Sequence, residues 1–378
     1  MTSAQSNTEL RPREVLGAEH APPRPSRFYR PELDALRFFA FLSVFLHHCT
    51  NPNGVFVVRT LRQTFGFGLC LFFFLSSYLI TELLQREKEK TGTVHLASFY
   101  IRRILRIWPL YFFFLAFIYF YGKLVPSESM PAQLLLCFFF LSANWWVVAH
   151  RFLQIAVMPL WSISVEEQFY VTWPVLNKVL GPKPMSALSI AIVALSSLTA
   201  YWMTSHGADP VGSVWASTFV QFQYFALGSL LSSSLRGKTI NLSAGIRVAG
   251  LAAALGIWLA AAVLVPSQAA IAYLLAGGGC ALIVVCVTGI QASAIPGPLV
   301  YLGKISYGLY VFHALCLSWS MWLITRFPIP RYYFVEATLL KALALAVCVA
   351  LASVSYKVLE SPFLRLKERF SFVLSRAT

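Results

Sequence analysis

Four groups of ionisable and hydroxyl-bearing residues interrupt stretches that are otherwise apolar, and each could do chemistry. In the first, Arg37 is followed after ten intervening residues by His48, with Asp34 just upstream and His47 adjacent. At about 100° per helical residue, Arg37 and His48 return to within about 20° of one face; Asp34 lies about 40° from His48 and His47 about 80° away. Asp34, Arg37 and His48 therefore form one polar stripe, with His48 about 16 Å further along the axis. A neutral imidazole titrates near operating pH and can take a proton from a hydroxyl, so His48 is the candidate general base. The bland alternative is a helix-end histidine at a membrane interface.

The second group is Arg102, Arg103 and Arg106, just ahead of Ile107 and Pro109. At spacings of three and four, three guanidinium groups share one side of a helix start, a geometry that suits phosphate held bidentately. They could instead only mark a cytoplasmic loop. In the third, Ser162, Glu166 and Tyr170 recur every four residues within WSISVEEQFY and stack on one helix face. A carboxylate between a hydroxyl and a phenol can orient a base or an acceptor hydroxyl, or a network of that kind can simply join helices. The fourth, YLGKISYGLYVFH, puts Ser306, Tyr310 and His313 on one face, suited to packing or to lining a substrate site.

These residues are out of place because of what surrounds them. The chain has 378 residues, 58% apolar and only 12% charged, with blocks of apolar residues long enough to cross a bilayer. That composition excludes an ordinary soluble domain and predicts an all-α polytopic membrane protein. The net charge of +15 would suggest nucleic acid in a soluble protein, but the basic residues sit between the apolar blocks, where they set topology, and no nucleic-acid partner is expected. The seven cysteines show no CxxC and no metal spacing, so no metal is expected. Eleven apolar segments can be marked between residues 33 and 358. If all cross, Lys and Arg divide evenly between the two sides. If the stretch 132–180 crosses only once, with its other half re-entrant or interfacial, 22 fall inside and 5 outside, with Arg151 undecided. About ten transmembrane helices with both termini cytoplasmic is the better topology, with 132–180 lining the protein interior. Residues 1–32 are expected to be a disordered cytoplasmic tail, 33–360 the transmembrane domain and 361–378 a basic cytoplasmic tail.

Taken in order, these segments resemble the acyltransferase 3 family of integral-membrane O-acyltransferases, over about residues 28 to 366. The family's arginine-to-histidine pattern in the first span falls on Arg37 and His48. Its arginine pair falls on Arg103 and Arg106, and its serine, glutamate and tyrosine at spacing four fall on Ser162, Glu166 and Tyr170. LFFFLSSYL, YFALGSLL, YLGKISYGLYVFH and LESPF complete the order. Ser77 departs from the family's usual glycine, and the chain resembles the stand-alone form without an esterase-like domain.

The resemblance implies transfer of an acyl group, most often acetyl, from cytoplasmic acyl-CoA to a hydroxyl of a carbohydrate, glycolipid or natural product. The acetyl-CoA is a co-substrate, with no permanently bound cofactor, and the site is the bacterial cytoplasmic membrane. In that reading Arg103 and Arg106, helped by Arg102, hold the CoA phosphates while His48 acts at the acyl end. Arg37 positions the acyl carrier or stabilises the oxyanion, and Glu166 orients base or acceptor. Asp34 pairs with Arg37, while Ser162, Tyr170, Tyr310 and His313 support or line the substrate site. The rivals are a transporter or flippase for a sugar-containing substrate and a non-catalytic acyl-CoA sensor.

Overall fold

The computed structural model describes residues 29–50, 54–238, 240–326 and 333–372. Most of the expected N-terminal tail, residues 1–28, and the last six residues of the expected C-terminal tail lie outside them. Every regular element among the described residues is helical. In chain order they are α1 (Pro31–Cys49), α2 (Phe56–Gly66), α3 (Gly68–Thr91), α4 (Leu96–Leu124), α5 (Ala132–Phe139), α6 (Ala143–His150), α7 (Trp161–Val179) and α8 (Pro182–Ser205). Then follow α9 (Thr218–Leu235), α10 (Ala244–Leu264), α11 (Ala269–Val287), α12 (Gly297–Lys304), α13 (Ser306–Arg326), α14 (Tyr333–Ser355) and α15 (Ser361–Lys367).

Ten of these, α1, α3, α4, α7 to α11, α13 and α14, run from 18 to 29 residues, a length that crosses a bilayer at 1.5 Å per residue. Six helical stretches are also apolar enough to cross on composition alone: 56–91, 96–124, 182–205, 244–264, 269–287 and 338–370. The protein is a polytopic all-α membrane protein. The long helices missing from those six are informative. Charged residues set α1 and α7 apart, Gln221 and Gln223 in the first turns of an otherwise apolar helix set α9 apart, and α13 is bent 73° against α12. Three of the four candidate groups lie on exactly such helices, so polarity that would be costly against lipid is turned inward.

Within 132–180 only α7 is of crossing length. The eight-residue helices α5 and α6 each extend about 12 Å. They are joined through Leu141, which sits at φ 55°, and α6 ends at Arg151, at φ 72°. A left-handed backbone at leucine and arginine is uncommon and breaks the helix at both points. The first helix starts at Pro31, two residues ahead of the expected boundary, because proline suits the first helical turn.

α3 is the central post. Its stretch is 78% buried, against 17% for α8 and for the stretch containing α14. α8 exposes Ile190, Leu195, Leu198, Tyr201 and Trp202, the surface expected of a lipid-facing helix. α3 packs against α1, α7, α9 and α11, while α4 contacts α7, α13 and α15. Two glycines allow the closest approaches. A Cβ on Gly303 of α12 would overlap the Asp34 carbonyl oxygen of α1, and one on Gly228 of α9 would overlap Phe74 O of α3. Beside that second contact, Ser77 is fully buried and donates its hydroxyl to Phe225 O at 2.5 Å. Ser77, where the resemblance implies glycine, thus makes an interhelical hydrogen bond.

Candidate active site

One cavity gathers side chains from α1, α3, α4, α7 and α13. Asp34, Arg37, Arg102, Arg103, Arg106, Ser162, Glu166, Tyr170, Ser306 and Tyr310 all line it. Each comes from the face that helical spacing assigns to it. Asp34 and Arg37, one turn apart on α1, form an ion pair at 3.3 Å. On α7, Tyr170 donates its phenol to Glu166 Oε1, and Ser76 of α3 donates to the same oxygen at 2.5 Å. Two hydroxyls from different helices therefore fix one carboxylate.

The arginines are not equivalent. Arg103 lies over the Tyr170 ring at 5.1 Å and the Phe99 ring at 5.4 Å, and its Nε has no hydrogen-bond partner among the described residues. Arg102 is already engaged: Nη2 donates to Glu87 Oε2 at 3.0 Å and Nη1 to Phe370 O at 2.6 Å. Around the cavity six basic side chains (Arg30, Arg37, Arg102, Arg103, Arg106 and Lys367) face three acidic ones (Asp34, Glu87 and Glu166). An excess of positive charge within low-dielectric walls concentrates anions.

At the inner end, Tyr310 shares a hydrogen bond with Ser162 Oγ at 2.6 Å and donates to Pro159 O at 2.9 Å. Tyr307 ties α13 to α4 by donating to Ile107 O at 2.8 Å. Beyond Tyr310 stands His313, fully buried, with Nδ1 at 2.6 Å from Tyr310 O and Nε2 without a partner among the described residues. Its ring lies 5.1 Å from that of His48. His48 is exposed at the far end of α1, next to His47, whose Nδ1 is 2.8 Å from Arg62 O. Neither His48 nor His313 lines the cavity.

The structure thus brings together Arg37, Arg103, Arg106, Glu166, Ser162 and Tyr170, and sets His48 apart, separated from them by Tyr310 and His313. Sequence reasoning missed Ser76, Tyr307, Glu87 and Lys367. The paired serines inside a run of phenylalanines, and a glutamate in the last turns of α3, were the available signals for two of them. Chemically, the cavity can bind a phosphorylated anion and hold a carboxylate and several hydroxyls in fixed positions. At the opposite end the paired imidazoles of His48 and His313 have the chemistry to accept a proton.

The acyltransferase 3 profile, described as an acyltransferase domain, matches residues 30–355. Among similar proteins, the O-acetyltransferase OatA of Staphylococcus aureus is 27% identical over 88% of this chain and 57% of its own length. The peptidoglycan O-acetyltransferase OatA of Listeria monocytogenes is 31% identical over 50% of this chain and 31% of its own. The chain therefore spans little more than half, or less, of the length of these curated relatives. No solved structure matches it. With its first helix, its arginine cluster and its α7 and α13 motifs all inside the matched range, the chain belongs to the acyltransferase 3 family.

Proposed function

We propose that the chain is a membrane O-acyltransferase that moves an acyl group, acetyl first of all, from acyl-CoA to a hydroxyl of a carbohydrate-containing acceptor. The observation that carries this reading is the convergence of Arg103, Arg106, Arg37 and Glu166 on one cation-rich cavity within a chain of this family. Both relatives are named for O-acetyl transfer, one of them to peptidoglycan, so a cell-wall sugar is the first acceptor to try; glycolipid and natural-product hydroxyls offer the same chemistry.

In the reaction, Arg103 and Arg106 hold the donor's phosphates at the cavity mouth and the long pantetheine arm carries the thioester inward. His48 takes the proton of the acceptor hydroxyl, the new ester C–O bond forms, the thioester C–S bond breaks, and the same proton passes to the sulfur so that CoA leaves as the thiol. Arg37, oriented by Asp34, and Glu166, held by Ser76 and Tyr170, position the acyl carrier's arm in the cavity so that its thioester points toward the reacting end.

The same reading includes sidedness. Lys88 at the end of α3 caps the carbonyls of Asn177, Lys178 and Leu180 at the end of α7, and Arg236 after α9 pairs with Glu89 at 2.5 Å. The ends of α3, α7 and α9 therefore gather around a second, smaller pocket at the same end of the bundle as Glu87, which lines the cavity. The positive-inside rule makes this the cytoplasmic face of a bacterial cell membrane, where acyl-CoA is found, with both termini on that side and His48 toward the other.

The test is CoA release from acetyl-CoA by the purified full-length chain in nanodiscs, with and without a crude glycan or lipid extract, comparing wild type with His48→Ala. The expected result is turnover in wild type and its loss in a variant that still folds and binds CoA. Wild type that binds CoA but never turns it over across varied donors and acceptors overturns the enzyme reading in favour of a sensor.

A further inference from the structure

Residues 361–378 were expected to be a basic cytoplasmic tail, and the described part of them, 361–372, folds back onto the bundle. α15 packs against α4, and the turn that follows is pinned at three points. Arg102 Nη1 donates to Phe370 O at 2.6 Å, Lys90 Nζ donates to Phe372 O at 2.9 Å, and the Phe372 ring stacks on that of His95 at 4.2 Å and 23°. These anchors come from the end of α3 and the start of α4, the two elements that frame the cavity mouth. The segment they hold presents Lys367 and Ser371 to the cavity, one turn apart, with Ser371 Oγ donating to Lys367 O at 3.3 Å.

From this placement we infer that residues 361–372 form the outer wall of the donor cavity and that Lys367 binds a phosphate at the nucleotide end of the acyl-CoA, an inference that rests on the donor assigned above. The charges favour it. Arg102 is paired with Glu87 through Nη2 at 3.0 Å and gives its other terminal nitrogen, Nη1, to Phe370 O, so it serves to hold the wall. Arg103 and Arg106 stand on one side of the cavity, and Lys367 is the basic residue facing it from the C-terminal segment. A CoA thioester carries a diphosphate and a separate ribose phosphate, more anionic groups than two neighbouring guanidiniums can satisfy. An ammonium on a long stem across the mouth suits the outlying one. Lys367 thereby selects for a nucleotide-bearing carrier over a bare pantetheine thioester without touching the reacting atoms.

The experiment measures KM and kcat of the full-length protein in nanodiscs with acetyl-CoA and with acetyl-pantetheine, which lacks phosphate. Wild type, Lys367→Ala, Lys367→Arg and Arg103→Ala are compared. Lys367→Ala is expected to raise KM for acetyl-CoA about tenfold, the size of one good charged contact, with kcat unchanged. KM for acetyl-pantetheine stays at the wild-type value, and Lys367→Arg restores most of the loss. Phe372→Ala, which removes the stack on His95 while leaving Lys367 in place, should shift KM in the same donor-selective way. An unchanged KM in Lys367→Ala, or an equal change for both donors that arginine does not rescue, overturns the inference and leaves the segment a structural clamp. If wild type uses acetyl-CoA and Arg103→Ala weakens it while Lys367→Ala does not, this inference alone fails. If wild type neither binds nor turns over acetyl-CoA, the donor assignment fails and this inference falls with it.

Discussion

The two ends of α1 are built on opposite plans. At the cavity end, Asp34 and Arg37 are paired and the neighbouring charges are held by short contacts from four other elements. At the far end, His48 is exposed and its ring neighbour His313 has a bare nitrogen among the described residues. One end is crowded and fixed, as suits a site that must recognise a large polyanion. The other leaves its imidazoles sparsely bonded, which fits the proton transfer proposed for them. In the proposed reaction a single helix thus separates holding from reacting by about 16 Å, with Tyr310 and His313 as the seam between them.

That contrast predicts which kinetic constant each end controls. The largest effect is expected at the far end, where His48→Ala should lower kcat by about 10²–10⁴-fold and leave the Kd for CoA unchanged. A rise in KM with kcat preserved would break the contrast. Next, Arg103→Lys keeps the charge but loses the guanidinium fork and its stacking on Tyr170 and Phe99. KM for acetyl-CoA should rise about tenfold with kcat within a few-fold. Combining it with His48→Ala should give independent, multiplicative losses, because the two sites share no partner; strong non-additivity in the double variant would show that they act as one unit. Smaller and purely structural is Gly303→Ala, whose Cβ has no room against Asp34 O. Unfolding in detergent should show a loss of about 1–3 kcal/mol. Smallest is Ser77→Gly, which removes the hydrogen bond to Phe225 O. It should cost about 1 kcal/mol and shift neither KM nor kcat.

Much of this was legible because membrane helices are regular. The positive-inside imbalance singled out 132–180 as holding one crossing, and α7 with the short pair α5 and α6 has that form. Spacing of four on α7 placed Ser162, Glu166 and Tyr170 on the one face that lines the cavity. Angular reasoning failed where depth mattered. Arg37 and His48 share a face, but a shared face says nothing of which cavity each meets, and the rise of the helix carries His48 past the wall. It failed again where partners are distant in sequence: Ser76 meets Glu166 across 90 positions, and Glu87 claims Arg102 across 15. No local period encodes either pairing. The C-terminal segment was illegible for the same reason, since its basic composition alone suits a solvated tail equally well.

The two hydrogen-bonded anchors of that segment both end on main-chain carbonyls, those of Phe370 and Phe372. Arg102 and Lys90 therefore grip a path of the backbone and are blind to which side chains it bears. What fixes the wall is length: one residue inserted after Pro362 would rotate Lys367 by about 100° away from the cavity while leaving every letter of the segment intact. With the Phe372 ring kept on His95, substitution at 370 should be tolerated where a single insertion or deletion is not.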